Sequence, residues 1–480
     1  MSLYIYNSLT RKKEEFIPLN PPQVNIYTCG VTVYDESHIG HARSLYLFDV
    51  MRRYLEYRGF KVNFVRNITD IEDKIINRAK ELGINWDELV EKYIQSYKQD
   101  LALLKIREGI LDGNEEPRAT KNIEEIKEFI QILIDKDFAY PTKTGVYFRV
   151  RRFEDYGKLS GQSIESMLAG ARIEPDETKA DPLDFALWKI SQEDEPGWES
   201  PWGRGRPGWH IECSVMSLKY LKTDTLDIHG GGRDLIFPHH ENEIAQSQAK
   251  TGKPFARYWI HHGLLTINGQ KMAKSLGNFV TIKDFMTRYK DADLLKLFFL
   301  STHYSHPIDY NAEKIEEAKK QKISFWEFFD KVNFWQEPQE KKEITVLEED
   351  FHKIDALAAT FVQAMDDDFN TPQAMAHLFE LLDLGSLFVA QDKFKAFSYA
   401  KEKLEEFFAI FGLEVKPKKD LPAEIKKYKI EREIARKNKD FEKADRLRQE
   451  IEKSGYRVID TAVTTTFTES SFETIIKDKI

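Results

Sequence analysis

Cys29 and Cys213 are the two cysteines in a chain of 480 residues, and each stands among other side chains able to bind metal. Cys29 falls near the end of the apolar run Val24-Asn25-Ile26-Tyr27-Thr28-Cys29-Gly30. Cys213 follows Gly208-Trp209-His210-Ile211-Glu212 and precedes Phe237-Pro238-His239-His240-Glu241-Asn242-Glu243. Two soft thiolates with one imidazole and one carboxylate make a four-ligand donor set suited to zinc. His239 and Glu243 are four residues apart, so on a helix their side chains share one face. Pro238 suits a first helical position, and the acidic residues after it suit a first turn. Isolated cysteines are by default buried and inert, and Cys29 is too far upstream for spacing to join it to the others. The neighbours shift the balance between two readings that both stand at this point, a pair of inert buried thiols and a zinc held by Cys29, Cys213, His239 and Glu243.

A second pair of segments could handle phosphate. His38-Ile39-Gly40-His41 lies between a predicted strand and helix, where backbone N–H groups and the helix dipole attract anions. Its two imidazoles can donate hydrogen bonds to charge that develops as a triphosphate is cleaved. Lys271-Met272-Ala273-Lys274-Ser275-Leu276-Gly277-Asn278 supplies two lysines three apart on a loop, able to neutralise pyrophosphate oxygens. Standing alone, such a loop is ordinary solvated surface. Zinc beside a nucleotide signature points to an enzyme that must grip a thiol.

These groups need elements to position them. Residues 24–30 alternate like a strand, and Ala42 to Tyr57 has helical periodicity. Lys61 to Val65 reads as a second strand, followed by Asn67-Ile68-Thr69-Asp70 and a helix from about Ile71 to Leu82. Strand, helix, strand, helix opens a doubly wound α/β domain, whose ligands bind at the C-terminal strand ends. Cys29-Gly30, the Asn67–Asp70 segment and His229-Gly230-Gly231-Gly232, after a strand Thr225–Ile228, all lie at such ends.

Between the two halves, residues 114–201 have the texture of an insertion, with a helix over Ile123–Lys136 and a hairpin over Phe138–Val150. The expected division is therefore 1–113 with 202–262 as a split Rossmann-type catalytic domain, 114–201 as a connective insertion, and 263–310 as a region bearing the lysine loop. An all-α helical bundle over 311–414, with aromatic stripes such as Phe325, Phe328 and Phe329, and a small α/β unit over 415–480 follow. Asn370-Thr371-Pro372 reads as a helix start, with a capping hydroxyl and then proline. A Lys/Pro linker is expected from Val415 to Asp420.

Composition sets limits. With 41% hydrophobic and 31% charged residues, the chain reads as an ordinary globular protein with several cores. No apolar run approaches the roughly 18 residues that span a bilayer, and the N-terminus lacks a signal-peptide pattern. A cytoplasmic protein with reduced thiols is expected. The net charge of −9 argues against a general polyanion binder, but Lys416 to Lys453 holds fourteen Lys/Arg against nine Asp/Glu, a local excess compatible with RNA.

The paired His-Ile-Gly-His and Lys-Met-x-Lys-Ser signatures, in that order, resemble those of the class I aminoacyl-tRNA synthetases. The thiolate segments resemble the cysteinyl-tRNA synthetase family specifically. Tyr27 through His41, Arg66-Asn67-Ile68-Thr69-Asp70-Ile71, Glu116-Pro117-Arg118-Ala119-Thr120 and Arg206 through Cys213 carry that likeness. So do Asp227 through Gly232, Phe237 through Gln246 and Met365-Asp366-Asp367-Asp368-Phe369-Asn370-Thr371-Pro372. The likeness runs over essentially the whole chain.

The resemblance implies ATP-dependent attachment of L-cysteine to its tRNA through a cysteinyl-adenylate, with ATP and Mg²⁺ as co-substrate and one zinc per chain. It places the zinc ligands on Cys29, Cys213, His239 and Glu243, and the ATP and catalytic residues on His38, Gly40, His41, His229, Lys271 and Lys274. The amino-acid pocket falls on Gly30, Thr69, Trp209 and Asp234, and the anticodon readers on Arg436, Phe441, Asp445 and Asp460. The insertion would serve the tRNA acceptor end, and a monomer is expected. Ala273 departs from the usual serine and Glu72 from the usual aspartate.

Zinc would answer a problem of discrimination. A pocket that reads shape alone separates near-isosteres such as cysteine and serine by roughly 10- to 200-fold, where translation needs about 10⁴. A thiolate-selecting metal could replace editing. Two other readings share parts of these motifs: a ligase joining cysteine to an amino-sugar, and a tRNA-binding module without catalysis. The former resembles a shortened synthetase without the C-terminal unit, and the latter would not need His38, His41, Lys271, Lys274 and four metal ligands.

Overall fold

The computed structural model describes residues 2–110, 115–170, 178–334, 348–414, 422–454, 456–460 and 465–469. The expected linker from Val415 to Asp420 lies outside the described residues. Four parallel strands form the central sheet, in the spatial order Ala256–His262, Leu226–Gly232, Gln23–Thr32, Lys61–Thr69. Leu226–Gly232 is buried throughout, and so are the last six residues of Lys61–Thr69, as expected where both faces of a parallel sheet are covered. From its first strand the chain builds outward on one side, then crosses to build on the other. The switch point, between Gln23–Thr32 and Leu226–Gly232, is where such sheets open a ligand crevice.

The helix expected from Ala42 begins earlier, at Ile39, and runs to Tyr57. The cause is a reciprocal cap made by two histidines. His38 Nδ1 accepts the backbone N–H groups of Gly40 at 3.1 Å and His41 at 3.2 Å, while His41 Nδ1 accepts that of His38 at 3.4 Å. His-Ile-Gly-His is thus the first turn of the helix, in the manner of a capping box. The next helix, Asp73–Leu82, starts two residues later than its periodicity indicates, because the Glu72 carboxylate caps it by accepting the Lys74 N–H at 2.7 Å.

Helix Ile123–Asp135 packs beside an antiparallel sheet of Ala139–Pro141, Gly145–Phe148, Phe185–Ile190 and Gly205–Pro207. The expected hairpin forms the first two of these strands. The fourth runs directly into helix Trp209–Leu221, so this sheet delivers Trp209, His210 and Cys213 to the crevice. The lysine loop hangs from a three-stranded sheet of Leu265–Ile267, Gln270–Lys271 and Ile308–Tyr310.

Long helices follow: Ala312–Phe334, Glu348–Asp366, Thr371–Ala390 and Phe394–Phe411. Phe325, Phe328 and Phe329 are buried between them, and Phe361 stacks on Phe407 at 3.9 Å. The helix start at 370–372 uses a different cap from the one expected. The Asn370 side chain accepts the Gln373 N–H at 3.2 Å, whereas the Thr371 hydroxyl donates to Leu300 O at 3.1 Å. The threonine is buried and spent on a neighbouring helix, which leaves the cap to asparagine. The C-terminal unit comprises helices Ala423–Lys437 and Phe441–Lys453 and a hairpin of Tyr456–Asp460 with Thr465–Glu469.

Candidate active site

Cys29 occupies the C-terminal part of the first sheet strand, where that strand and its neighbour Lys61–Thr69 close on each other. A Cβ on Gly30 would lie 1.5 Å from Asn67 O, so only glycine lets the strands approach, and Gly30 N donates to Asn67 Oδ1 at 2.8 Å. Cys213 comes from the second turn of Trp209–Leu221. His239 and Glu243 come from the short turn Ile236–His240 and the helix Glu241–Thr251 that continues it. The ligand atoms of Cys29, Cys213, His239 and Glu243 all lie within 4.8 Å of one another. His239 Nε2 is 2.8 Å from Glu243 Oε1, yet it is buried without hydrogen-bond alignment to any partner. That is the arrangement of a group aimed at a shared cation.

A second group, Cys29, His229, His240 and Glu243, converges equally closely. Its histidines have other work. His229 Nε2 lies 2.6 Å from Glu243 Oε2, and His240 Nε2 lies 3.3 Å from Cys29 Sγ while its Nδ1 meets His261 Nε2 at 2.8 Å. They hold Glu243 and Cys29 from behind, as outer partners orient metal ligands. His210 Nδ1 does the same for His239 Nδ1 at 2.8 Å. The set with two thiolates is the one suited to a soft-ligand metal.

The electrostatics agree. A hydrogen bond from Cys29 brings the Cys213 thiol down to about 6 against the effect of burial. Burial, then the neighbouring Cys213, push the Cys29 thiol up. Of the two thiols, Cys213 is the more acidic. Burial opposes charge on His239, but the Glu243 carboxylate outweighs it and raises the imidazole to about 10. Glu243, in spite of burial, is held well below the usual carboxylate range by His229 and His239. Two thiol sulfurs, an imidazole and a carboxylate buried together are donors that a metal cation could use.

Beside the cluster, Trp209 stacks on His239 at 4.2 Å, and Thr69 is buried and accepts from Asn67 Nδ2 at 3.3 Å. Gly30, Thr69 and Trp209 are therefore gathered at the metal side. Asp234 is exposed and stands within electrostatic reach of His38 and His262, closer in its associations to the signature than to the thiolates. His229, expected against ATP, is fully buried with its Nε2 on Glu243.

His38 and His41 stack at 3.7 Å. A Cβ on Gly40 would meet the His38 ring at 2.9 Å, so the glycine makes room for the paired imidazoles. Burial lowers His38 to about 4 and His41 to about 3. Both rings are thus neutral at pH 7, and with each Nδ1 accepting a backbone N–H, each offers an Nε2–H donor. The lysine loop is stitched to this turn. Ile39 N donates to Val280 O at 3.1 Å and Ile282 N to Ser37 O at 2.9 Å. Lys274, half exposed, pairs with Asp35, and Lys283 pairs with Glu36 at 2.9 Å. Lys271 is exposed, and Asn278 closes the loop by accepting from Ala273 N at 2.8 Å and donating to Lys271 O at 3.1 Å. The two signatures, far apart in sequence, meet at one cleft.

In the C-terminal unit Phe441 is 63% exposed. Asp445, one helical turn on, is also exposed, and Arg436 is half-buried near the end of the preceding helix. The side chain of Asp460 lies outside the described residues. Sequence reasoning missed His210, His240, His261 and Asp35. The first three were visible only as histidines near a proposed ligand, and Asp35 stood inside a quoted motif with no partner to suggest its role.

Fold and paired signatures together define a class I tRNA synthetase. Residues 15–320 match the model of the tRNA synthetases class I (C) catalytic domain, and residues 360–416 match the DALR domain. The solved Mycobacterium tuberculosis methionyl-tRNA synthetase in complex with methionyl-adenylate is similar in fold, with a TM-score of 0.59 at 15% identity over 81% of this chain and 88% of that one. The chain belongs to the cysteine–tRNA ligase family. It is 47% identical to the enzyme of Persephonella marina over 97% of its own length and 99% of that relative's. The corresponding figures for the enzyme of Aquifex aeolicus are 45%, 96% and 98%.

Proposed function

We propose that the chain activates L-cysteine with ATP and transfers it to its tRNA, using a zinc ion held by Cys29, Cys213, His239 and Glu243 to select the substrate. The convergence of those four ligand atoms within 4.8 Å, on an α/β switch point beside the paired signatures, carries the reading. When bound, zinc supplies Lewis acidity that favours a thiolate over a hydroxyl.

The chain's own residues do the rest. In the first step a cysteine carboxylate oxygen attacks the α-phosphorus of ATP, and the bond to pyrophosphate breaks. His38 and His41 donate through Nε2–H to the phosphate oxygens. Lys271 and Lys274 bring positive charge to the leaving pyrophosphate, with Lys274 exchanging Asp35 for phosphate. Gly30, Thr69, Trp209 and Asp234 are the proposed pocket for the amino acid. In the second step a hydroxyl of the terminal ribose attacks the activated carbonyl and AMP leaves.

Arg436, Phe441, Asp445 and Asp460 are proposed to read the anticodon, where an exposed aromatic can stack on a splayed base and carboxylates can accept from base edges. The domain division at 113, 201, 262, 310 and 414 belongs to the same reading, with the inserted sheet taking the acceptor end. So do a monomeric state and residence in the reducing cytoplasm, which suits two free thiols. No helix among the described residues is long and apolar enough to cross a membrane. Cysteine-dependent pyrophosphate exchange, then charging of cysteine tRNA, tests the proposal. Exchange with serine at a comparable rate would overturn the selection, and absence of charging would overturn the second step.

A further inference from the structure

The segment Asp366-Asp367-Asp368-Phe369 joins helices Glu348–Asp366 and Thr371–Ala390, far along the chain from the thiolate and lysine motifs, and no step of the proposed function uses it. Each of its carboxylates reaches a different part of the catalytic body. Asp366, 3% exposed, accepts from Tyr54 Oη at 2.6 Å and pairs with Arg58, at the C-terminal end of the signature helix Ile39–Tyr57. Asp367 pairs with Lys13 at 2.6 Å at the surface. Asp368, 5% exposed, accepts on one oxygen from Tyr6 N at 2.8 Å and Tyr304 Oη at 2.7 Å.

The other end of the signature helix is held by the same corner at one remove. Arg43, on the turn after His41, is buried and donates to four carbonyl oxygens: Gly263 at 2.6 Å, Leu264 at 3.0 Å, Tyr304 at 3.2 Å and His306 at 2.6 Å. Asp368 grips that 303–306 segment from the bundle side, through the Tyr304 hydroxyl and through its own carbonyl, 2.9 Å from His303 Nε2. The bundle corner thus fixes both ends of a 19-residue helix, about 28 Å long, whose first turn carries His38 and His41.

The backbone of the corner is itself unusual. Asp368 and Phe369 both adopt left-handed conformations, with φ of 62° and 52°. For consecutive non-glycine residues, one of them aromatic, that is disfavoured and persists only where surroundings over-determine it. Glycine would make the turn freely, but it would surrender the Asp368 bonds and the buried Phe369 ring, which meets Tyr54 edge-on at 6.1 Å.

We propose that Asp366 and Asp368 are positioning residues for the transfer step, setting the angle between the signature helix and the helical bundle that leads to the C-terminal unit. The inference rests on the tRNA-charging reading. Adenylate formation needs only small substrates that bind inside the catalytic body. Transfer needs an RNA end delivered to that body while the same RNA is held by the C-terminal unit beyond the bundle in the chain, so it alone is sensitive to the angle between signature helix and bundle.

Asp368→Ala removes the shared acceptor, while Asp368→Asn keeps an oxygen able to accept from both Tyr6 and Tyr304. For Asp368→Ala, cysteine-dependent pyrophosphate exchange is expected within about twofold of the unmodified protein, and kcat for tRNA charging falls by about 10- to 100-fold, the scale of a small misplacement of reacting groups. Asp368→Asn restores charging. If Asp368→Ala does not fold, Tyr304→Phe removes one of the two donors and is expected to lower charging alone. Equal losses in exchange and charging, charging unchanged in Asp368→Ala, or no rescue by asparagine overturns the assignment. An unmodified protein that exchanges pyrophosphate but charges no tRNA overturns the charging reading instead.

Discussion

The thiolate cluster at the sheet's switch point and the lysine loop stitched to the His38–His41 turn are built in opposite ways. Cys213, His239 and Glu243 are each 1% exposed or less, and every ligand side chain has a polar neighbour behind it. Lys271 and Lys274 are exposed, and Lys274 is held by a carboxylate that a phosphate can replace. On the proposed function, the difference follows from what each would recognise. Oxygen and sulfur differ too little in size for a yielding pocket to separate, so the discriminating groups are fixed before the substrate arrives. A triphosphate is large and highly charged, and a loop that surrenders one ion pair for a better one can both admit and release it.

If the cluster is rigid because its ligands are interdependent, breaking one should break all. Cys213→Ser is expected to lose stoichiometric metal and to slow cysteine activation by at least about 10³-fold, beyond what one preorganised donor supplies. Elemental analysis and exchange kinetics check it, and full zinc content in that variant would remove Cys213 from the ligand set. The loop should yield piecemeal. Lys274→Ala is expected to slow adenylate formation by about 10²–10³-fold while leaving the metal in place. The thiolate-to-metal absorption of the cobalt-substituted protein should be unchanged. A variant that loses the band would mean that the two regions are one unit.

The chemistry of these regions was legible in the sequence because it is carried by residue types at fixed local spacings. His239 and Glu243 needed only a helix, and the two signatures needed only their order. What joins them was not legible. The spending of His229 on Glu243, the Asp35–Lys274 pair and the three-way grip of Asp366, Asp367 and Asp368 are contacts between separate segments, and periodicity cannot see those. Two helix starts were misplaced for a local reason: at Ile39 and at Asp73 a side chain supplied a cap that periodicity does not show.

The signature histidines are half-buried, intermediate between the cluster and the loop, and pH distinguishes them from the loop. Burial holds His38 at about 4 and His41 at about 3, below the ordinary value of about 6.5. The folded protein therefore declines protons that the unfolded chain takes up. This contribution to stability is complete above about pH 6.5, is lost as pH falls toward 4, and favours unfolding throughout that window. Adenylate formation should show no break near pH 6.5 from these rings, because they remain neutral donors. A break there in the exchange rate, removed by His38→Asn, would show that the ring is solvated and charged.

The smallest effect tests whether the loop depends on charge alone. Ala273 has the extended conformation, φ −154° and ψ 142°, and its N–H is already taken by Asn278. A serine there fits without backbone cost, adds one half-exposed hydroxyl, and leaves both lysines and the Asn278 clamp unchanged. Ala273→Ser is therefore expected to alter the rate of adenylate formation by less than about twofold, since a solvated neutral donor offers little beyond water. A tenfold gain in the exchange rate at saturating ATP would contradict this. The hydroxyl would then be reaching the phosphates in the transition state, and the loop would share the cluster's dependence on placed donors rather than on mobile charge.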